Sequence, residues 1–250
     1  MDASTSICGF DADSITVRGR DLVEELMGKV GFTELIILQA LGDMPSPAQT
    51  RIVDAVLVTI MEHGLVPSAV VTRLTHLGAP ESFQGAVAAG LLGVGDRYAG
   101  TAGECGALLE RIVAAPADER ASRAAEEVRA CRAERKPVPG FGHPVHQAHD
   151  PRVPRLLQIV RDADTGGEFL AALELVETSV REELGKPLVT NISAAIGAAL
   201  GEAGVPAMMM RGVVLTARCA GLVGHLLEEM DNPAGSALWE AAQASVGYRP

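Results

Sequence analysis

A proline-, glycine- and histidine-rich segment, residues 138–152, most constrains how this chain can fold. It reads Val-Pro-Gly-Phe-Gly-His-Pro-Val-His-Gln-Ala-His-Asp-Pro-Arg, and apolar, Ala-rich sequence lies on both sides. Proline and glycine at this density exclude a regular helix. The segment is therefore predicted to be a shaped loop on a helical scaffold, where binding and catalytic groups tend to lie. A shorter segment of the same character, residues 61–68, carries His63, so two histidine loops suggest an active site.

The composition restricts both the core and the partners. Apolar residues make up 48% of the 250 residues and aromatic residues only 3%, so helices are expected to pack closely through small aliphatic side chains. The net charge of −11 argues against nucleic acid and against an anionic membrane surface as partners. An anionic small substrate stays open, because local arginines can outweigh the global charge.

The cysteines and the apolar runs indicate a cytoplasmic protein. Cys8, Cys105, Cys131 and Cys219 are scattered without metal-ligand spacing, so reduced, buried thiols are expected. The N-terminus lacks the features of a signal peptide. The apolar runs are broken before the ~20 residues that a membrane span needs.

Helical periodicity dominates and strand-like alternation is nearly absent, so the fold is predicted to be all-α. We expect residues 1–250 to form a single unit, with a smaller mobile subregion at about 115–190 and a seam near 136–144. The segment 79–95, rich in alanine and glycine, is expected to be a buried helix that lets neighbouring backbones approach. Helices are predicted at 21–27, 32–41, 47–61, 67–77, 79–95, 104–113, 117–135, 153–164, 168–184, 191–203, 208–230 and 236–244.

The histidines allow structural as well as chemical roles. His63 follows a long helix and could stabilise the C-terminus of that helix through the macrodipole. His143 lies between Gly142 and Pro144, where bare backbone lets a ligand come close. His143, His146 and His149 have helical metal-ligand spacing, but the prolines and glycines disfavour a helix and no Cys or Glu completes a zinc pattern. No metal site is therefore predicted.

Arg152 and Arg218 are the best candidates for binding an anion, because a planar guanidinium suits a carboxylate. Arg218 lies in an otherwise apolar helix, where a buried cation needs a partner. The structural alternative is an internal salt bridge from Arg218 to Glu228 or Glu229. The sequence holds no Gly-x-Ser-x-Gly elbow, Cys/His pair or P-loop, so nucleophilic and phosphoryl-transfer chemistry has no support.

Taken together, these motifs resemble the citrate synthase superfamily, and more closely its citryl-CoA lyase branch, which includes the C-terminal lyase module of ATP-citrate lyase. The resemblance extends from about Val17 to Glu229. Where synthases usually read Gly-Pro-Leu-His-Gly-Gly, residues 95–100 read Gly-Asp-Arg-Tyr-Ala-Gly, which indicates the lyase branch. The landmarks are Glu62-His63-Gly64, residues 90–98, Gly140-Phe-Gly-His143, Asp150-Pro-Arg152 and residues 218–225.

The resemblance implies a citrate-synthase-like helical fold with a large helical body, assembled as a homodimer or higher homo-oligomer. It implies cleavage or formation of citryl-CoA or a related 3-hydroxyacyl-CoA, giving acetyl-CoA or another acyl-CoA plus a 2-oxo acid such as oxaloacetate. The CoA thioester is then a substrate, and no covalently bound cofactor is expected.

The resemblance also implies residue roles. His63 would hydrogen-bond the thioester oxygen of the enol fragment and His143 the oxygen of the oxo acid. Arg152 and Arg218 would bind substrate carboxylates. The loop would line the CoA site, with its backbone amides meeting the cofactor, through Val138, Gly140, Phe141, Gly142, Pro144 and Gln147.

Three departures from the family pattern matter. Ser193 in Asn191-Ile-Ser-Ala194 stands where the family has its acid/base aspartate, and a serine hydroxyl cannot move a carbon-bound proton unaided. Pro144 stands where the family often has the arginine of Gly-His-Arg, so one cation that could meet CoA phosphates or substrate is absent. Residues 231–233 lack the arginine often found near the C-terminus, so a substrate with fewer carboxylates than citrate becomes plausible.

Two functions follow. The first is an active CoA-ester lyase or synthase in which Glu62, a water ordered by Ser193, His146 or His149 replaces the aspartate. The second is a non-catalytic homologue that binds CoA or a carboxylate, or regulates. Loss of the aspartate favours the second. Retention of four polar groups at the loops favours the first, which is our preferred reading. A helical interaction module leaves the 138–152 loop unexplained.

Overall fold

The fold is a helical body, as predicted. The computed structural model describes residues 3–95, 101–142, 149–185 and 187–249. Within them, the predicted helices agree with the observed ones to within a few residues at most ends. The helices are α1 Phe32–Leu41, α2 Pro47–Ile60, α3 Pro67–Gly78, α4 Phe83–Leu92, α5 Thr101–Val113, α6 Arg120–Ala133, α7 Arg152–Arg161, α8 Glu168–Leu184, α9 Ile192–Glu202, α10 Ala207–Asp231 and α11 Gly235–Ser245.

A small antiparallel sheet near the N-terminus was not predicted. Its strands, in the order β1-β2-β3, are Cys8–Phe10, Ile15–Val17 and Arg20–Asp21. The carboxylate of Asp11 accepts the N–H of Ser14 at 2.8 Å and so closes the first turn. Strands of two or three residues are too short to show an alternating pattern, which is why periodicity missed them.

Two predicted helices differ from the structure. A π-helical turn, Leu22–Leu26, replaces the helix expected at 21–27, and Asp21 caps it. The helix expected at 79–95 is shorter, and in α4 only Ala86 and Gly90 are buried. A Cβ on Gly90 would lie 3.0 Å from the backbone carbonyl oxygen of Ser68 in α3, so the predicted close approach of backbones does occur there.

The long helix α10 is one of the central elements of the body. Its 25 residues make it long and apolar enough to cross a membrane by length and composition alone. Arg211 and Arg218 interrupt its apolar run, as the sequence indicated, but the helix continues through both. Yet α10 packs against α2, α3, α4, α5 and α9, and it buries Arg218 and Glu229. These are the properties of a core helix that carries polar groups into the interior.

One main hydrophobic core joins the helices. It includes Ile52 of α2, Val128 of α6, Val176 of α8 and Met210 of α10, so part of the 115–190 subregion shares this core. The division of residues 1–250 into a body and a mobile subregion stays a prediction.

The cysteines are free thiols of differing exposure. Cys105 is buried, and its burial raises its pKa far above the ordinary value. Cys8 is exposed, while Cys131 and Cys219 are partly exposed. The expectation of buried thiols is therefore correct for Cys105 alone, because the other three lie where the helices and the sheet meet solvent. A cytoplasmic location stays a prediction.

Candidate active site

A cavity of about 410 Å³ collects most of the residues singled out from the sequence. That volume is within the range of small-molecule sites. Of the predicted site residues, His143, Pro144 and Gln147 lie outside the described residues. The others all line the cavity: His63, Val138, Gly140, Phe141, Gly142, Arg152, Ser193 and Arg218.

The described part of the loop is hydrogen-bonded to the segment before α9. The N–H of Gly142 donates to the carbonyl of Val189 at 2.7 Å, and the N–H of Asn191 donates to the carbonyl of Gly140 at 2.9 Å. The N–H of Phe141 donates to Val138 at 3.2 Å. The amides of Phe141 and Gly142 are thus engaged within the protein, and they shape the loop rather than offer donors to CoA. Contact between this loop and CoA stays a prediction.

Ser193 lies in the first turn of α9, held by the same segment. The side chain of Asn191 caps the helix by accepting the Ser193 N–H at 2.9 Å, while its Nδ2 donates to the Gly142 carbonyl at 2.8 Å. The Ser193 hydroxyl meets Thr101 Oγ1, at the start of α5, at 2.7 Å. One asparagine therefore fixes the loop and the serine relative to each other.

His63 lies in the turn between α2 and α3. One carboxylate oxygen of Glu62 accepts the N–H groups of His63 and Gly64, both at 2.7 Å. The same oxygen lies 3.1 Å from Nε2 of His225. Burial opposes ionisation of Glu62, but these hydrogen bonds prevail and lower its pKa. Because α2 ends at Ile60 and His63 is among the residues that line the cavity, a role limited to the end of the helix is not favoured.

Arg218 does not form the internal salt bridge considered as an alternative. Glu228 and Glu229 instead pair with Arg73 of α3, Glu229 at 2.7 Å. Arg218 is only 5% exposed. Among the described residues it has no hydrogen-bonded or ion-paired partner. The alternative salt bridge of Arg218 is therefore wrong, because another buried arginine, Arg73, binds both glutamates instead.

Two guanidinium groups face this cavity. Burial lowers the pKa of Arg218, the charge of Glu62 raises it, and the charge of Arg152 lowers it further. Arg152 is held by the buried Asp150 in a bidentate pair, with distances of 2.9 and 2.7 Å. A buried cation that is repelled by a second cation is stabilised by an anionic ligand between them. The cavity is therefore suited to a carboxylate.

The groups suggested as replacements for the aspartate are not brought to the cavity where the structure describes them. Glu62 is occupied by the two N–H groups and His225, and it does not line the cavity. His149 lines a separate depression beside α7 and α8. His146 lies outside the described residues. No group of three or more potential metal ligands occurs in the part of the chain that the structure describes.

Four polar groups of the site were not predicted. Thr101 and Glu104 of α5 line the cavity, as do Asn191 beside Ser193 and Ser68 in the first turn of α3. Their only signal in the sequence is the three-residue spacing of Thr101 and Glu104, which places both on one face of a helix. That this face meets Ser193 depends on the packing of α5 against α9, which the sequence does not reveal.

The fold and this arrangement define a member of a known family. The family model "Citrate synthase, C-terminal domain" matches residues 32–239. The chain therefore belongs to the citrate synthase family, and the resemblance stated from the motifs is confirmed.

Solved structures point to the same family. Citryl-CoA lyase from Hydrogenobacter thermophilus is 29% identical, with a TM-score of 0.85 over 99% of this chain and 94% of that chain. ATP citrate lyase from Methanothrix soehngenii, in complex with citrate and coenzyme A, is 20% identical, with a TM-score of 0.81 over 100% of this chain and 42% of that chain. The second likeness supports the fold alone.

Among curated proteins, "Putative citrate synthase 2" of Mycobacterium tuberculosis is 27% identical over 192 residues. The match covers 74% of this chain and 49% of that protein. The chain thus spans about half the length of the curated relatives it matches.

Proposed function

We propose that this chain cleaves or forms a carbon–carbon bond in a CoA thioester, with citryl-CoA or a related 3-hydroxyacyl-CoA as substrate. The products of cleavage are acetyl-CoA or another acyl-CoA and a 2-oxo acid such as oxaloacetate. The observation that carries the proposal is the convergence of His63, Ser193, Arg152 and Arg218, from four separate segments of the chain, on one cavity. The CoA thioester is a substrate, and no further cofactor is proposed.

Hydrogen-bond donors at the two reacting oxygens account for the bond cleavage. When the bond breaks, its electron pair moves into the thioester and forms an enolate, while the hydroxyl-bearing carbon becomes a ketone. We assign His63 to the enolate oxygen and His143 to the oxygen that becomes the ketone. A positioned donor at a developing oxyanion is worth roughly 10²–10³ in turnover.

The charges favour a substrate with fewer carboxylates than citryl-CoA. Of the described residues that line the cavity, Arg152 and Arg218 are the cationic ones, and Asp150 already neutralises much of Arg152. Arg218 is thus the main anchor for one carboxylate, and Arg152 offers a second, weaker contact. We expect citramalyl-like substrates to be processed at least as well as citryl-CoA.

Turnover of a substrate panel tests the function. The enzyme is incubated with citryl-CoA, citramalyl-CoA and uncharged 3-hydroxyacyl-CoA esters, and separately with acetyl-CoA and a set of 2-oxo acids, and the products are identified by mass spectrometry. His63→Ala is expected to lower turnover by roughly 10²–10³ with an unchanged Tm. Absence of turnover in every reaction would contradict the proposed catalytic function.

A non-catalytic homologue that binds CoA or a carboxylate is the second candidate, and the serine at position 193 favours it. In that case calorimetry detects CoA binding while the whole panel stays unreacted. Robust turnover of any substrate excludes this candidate.

We also propose that the protein is a homodimer or higher homo-oligomer. An apolar groove between α1, α2 and α10 leaves Phe32 74% exposed and Val58 67% exposed. A second copy of the chain is the occupant that the family suggests. Light scattering of Val58→Asp is expected to report a smaller species than the unmodified protein, and equal masses contradict the proposal.

A further inference from the structure

The proposed reaction needs a group that exchanges a proton with carbon, and Ser193 is not that group. A serine hydroxyl stays protonated at neutral pH, whereas a carboxylate can accept and return the proton. Among the described residues that line the cavity, Glu104 of α5 is the one with a carboxyl group. We propose that Glu104 is the catalytic carboxylate of this enzyme, an inference that rests on the proposed function.

The position of Glu104 follows from the contact between α5 and α9. Thr101 Oγ1 lies 2.7 Å from the Ser193 hydroxyl. Glu104 is three residues further along α5, so its Cβ lies about 5–6 Å from that of Thr101, on the same face of the helix. A glutamate side chain is one methylene longer than that of aspartate and recovers part of this distance, and Glu104 does line the cavity. The carboxyl group therefore lies on the same wall of the cavity as Ser193, displaced by one helical turn.

The bonding of the nearby carboxylates distinguishes Glu104 from them. Glu62 accepts two backbone N–H groups, and Asp150 binds Arg152 through both oxygens. In the described part of the chain, Glu104 has no hydrogen bond or ion pair. Its carboxyl group can therefore take up or release a proton without breaking a structural contact.

The proton step balances in both directions. In cleavage, the carboxylic acid of Glu104 gives its proton to the enolate carbon, which forms the methyl or methylene group of the acyl-CoA. The carboxylate then takes up, by way of solvent, the proton that left the substrate hydroxyl. In synthesis, the Glu104 carboxylate removes a proton from the acyl-CoA α-carbon, and the resulting enolate attacks the ketone. The alkoxide so formed then takes up, by way of solvent, the proton that Glu104 gained. No oxidant, reductant or further reactant is consumed.

The test compares Glu104→Gln, Ser193→Asp and the double variant Glu104→Gln/Ser193→Asp with the unmodified enzyme. Two activities are measured: turnover on the substrate panel, and exchange of the acetyl-CoA methyl protons with deuterated water, followed by mass spectrometry. The second reports proton transfer at carbon directly. Glu182→Gln, on the exposed face of α8, is the matched control.

We expect Glu104→Gln to lower both activities by roughly 10²–10⁴, the usual contribution of a general acid or base. Tm and CoA affinity are expected to stay unchanged, and Glu182→Gln to behave as the unmodified enzyme. The double variant is expected to be at least about 10-fold more active than Glu104→Gln, because an aspartate at position 193 supplies a carboxylate to the same wall of the cavity. If Glu104 had only a structural role, this recovery would not be expected.

The outcomes separate this inference from the proposed function. If the unmodified enzyme turns over a substrate and Glu104→Gln is equally active, Glu104 is not the catalytic carboxylate and the function stands. If neither the unmodified enzyme nor any variant shows turnover or exchange, the function itself is wrong and the inference falls with it.

Discussion

Nε2 of His225 lies 3.1 Å from Oε1 of Glu62, on the side of the imidazole opposite the core. On the inner side, Nδ1 faces Nε and Nη2 of Arg73 at 3.1 and 2.9 Å. Arginine only donates hydrogen bonds, so Nδ1 must accept and the proton of the neutral ring must lie on Nε2. His225 therefore donates to Glu62, which in turn holds the backbone of the His63 turn.

Replacing each half of this imidazole separately tests whether His225 positions His63. Asparagine offers an oxygen near the place of Nδ1 and keeps the contact with Arg73, while glutamine offers an N–H near the place of Nε2 and keeps the contact with Glu62. We expect His225→Asn to lower kcat about 10-fold or more with little change in KM, because His63 acts on the transition state. His225→Gln is expected to keep most of the kcat.

Thermal unfolding of both variants is the control. A structural role for His225 predicts that activity follows Tm, so that the variant with the lower Tm is also the less active. Equal kcat values for the two variants would contradict positioning through Glu62.

Arg218 and Arg73 are both buried, yet their removal is expected to have opposite consequences. Arg218 has no ion-paired partner among the described residues, so Arg218→Met removes a desolvated charge and leaves the free energy of unfolding unchanged or higher. The same variant loses its bond to a substrate carboxylate, which raises KM roughly 10- to 100-fold. Arg73→Met leaves Glu229 buried without its cation and costs about 3–5 kcal/mol.

Urea unfolding and steady-state kinetics of the two variants check this pair. Marked destabilisation by Arg218→Met would mean that the arginine is structural. An unchanged KM for every carboxylate substrate would remove it from substrate binding.

The sequence predicted most of the helices because their apolar periodicity is long and their ends carry ordinary signals. At α2, for example, Ser46 caps the helix and Pro47 occupies its first position. The same signals fail for β1, β2 and β3, whose pairing depends on neighbours in space. The broken pattern correctly marked residues 138–142 as a loop at the cavity, because proline and glycine act locally.

The residues that line the cavity were predictable where single residue types are distinctive, and not where their position depends on packing. His63, Arg152 and Arg218 stand out from their surroundings in the sequence. Glu104 does not, since an exposed glutamate in a helix is ordinary, and only the contact between Thr101 and Ser193 places it on the cavity wall. The pairing of Arg73 with Glu229 was missed for the same reason, because it joins residues 156 positions apart.

Glu229 gives the fold a dependence on acid. Burial opposes its ionisation, but hydrogen bonds from Ala234, Arg73 and Gly235 prevail and lower its pKa below the ordinary 4.5. A lowered pKa in the folded state means that the stabilisation is present above pH 4.5 and is lost as the pH falls through the folded value. We expect the free energy of unfolding to decrease in that range, and to decrease less in Glu229→Gln.

Urea unfolding between pH 3 and pH 7 measures this difference. Near neutral pH, Glu229→Gln is expected to be less stable by about 3–5 kcal/mol, because Arg73 loses its buried partner. If the free energy of unfolding falls with the same slope below pH 4.5 in both proteins, Glu229 is not the group responsible for the loss of stability in acid.

Glycine at positions 140 and 142 has two possible structural reasons, backbone conformation and lack of space for a side chain, and only the first applies to both. Both have positive φ, +84° and +87°, so alanine at either position costs about 1–2 kcal/mol of backbone strain. A Cβ at Gly140 would also lie 2.5 Å from Ala194 Cβ and 2.8 Å from Cys105 Sγ, whereas one at Gly142 meets nothing within 4 Å. We therefore expect Gly140→Ala to be the more destabilising by about 1–3 kcal/mol, the usual cost of overpacking.

Because Ala194 adjoins Ser193, Gly140→Ala is also expected to lower turnover, measured beside Gly142→Ala at a temperature where both are folded. Equal stability of the two variants would mean that α9 moves to accommodate the added methyl group, and that the loop does not fix the position of Ser193.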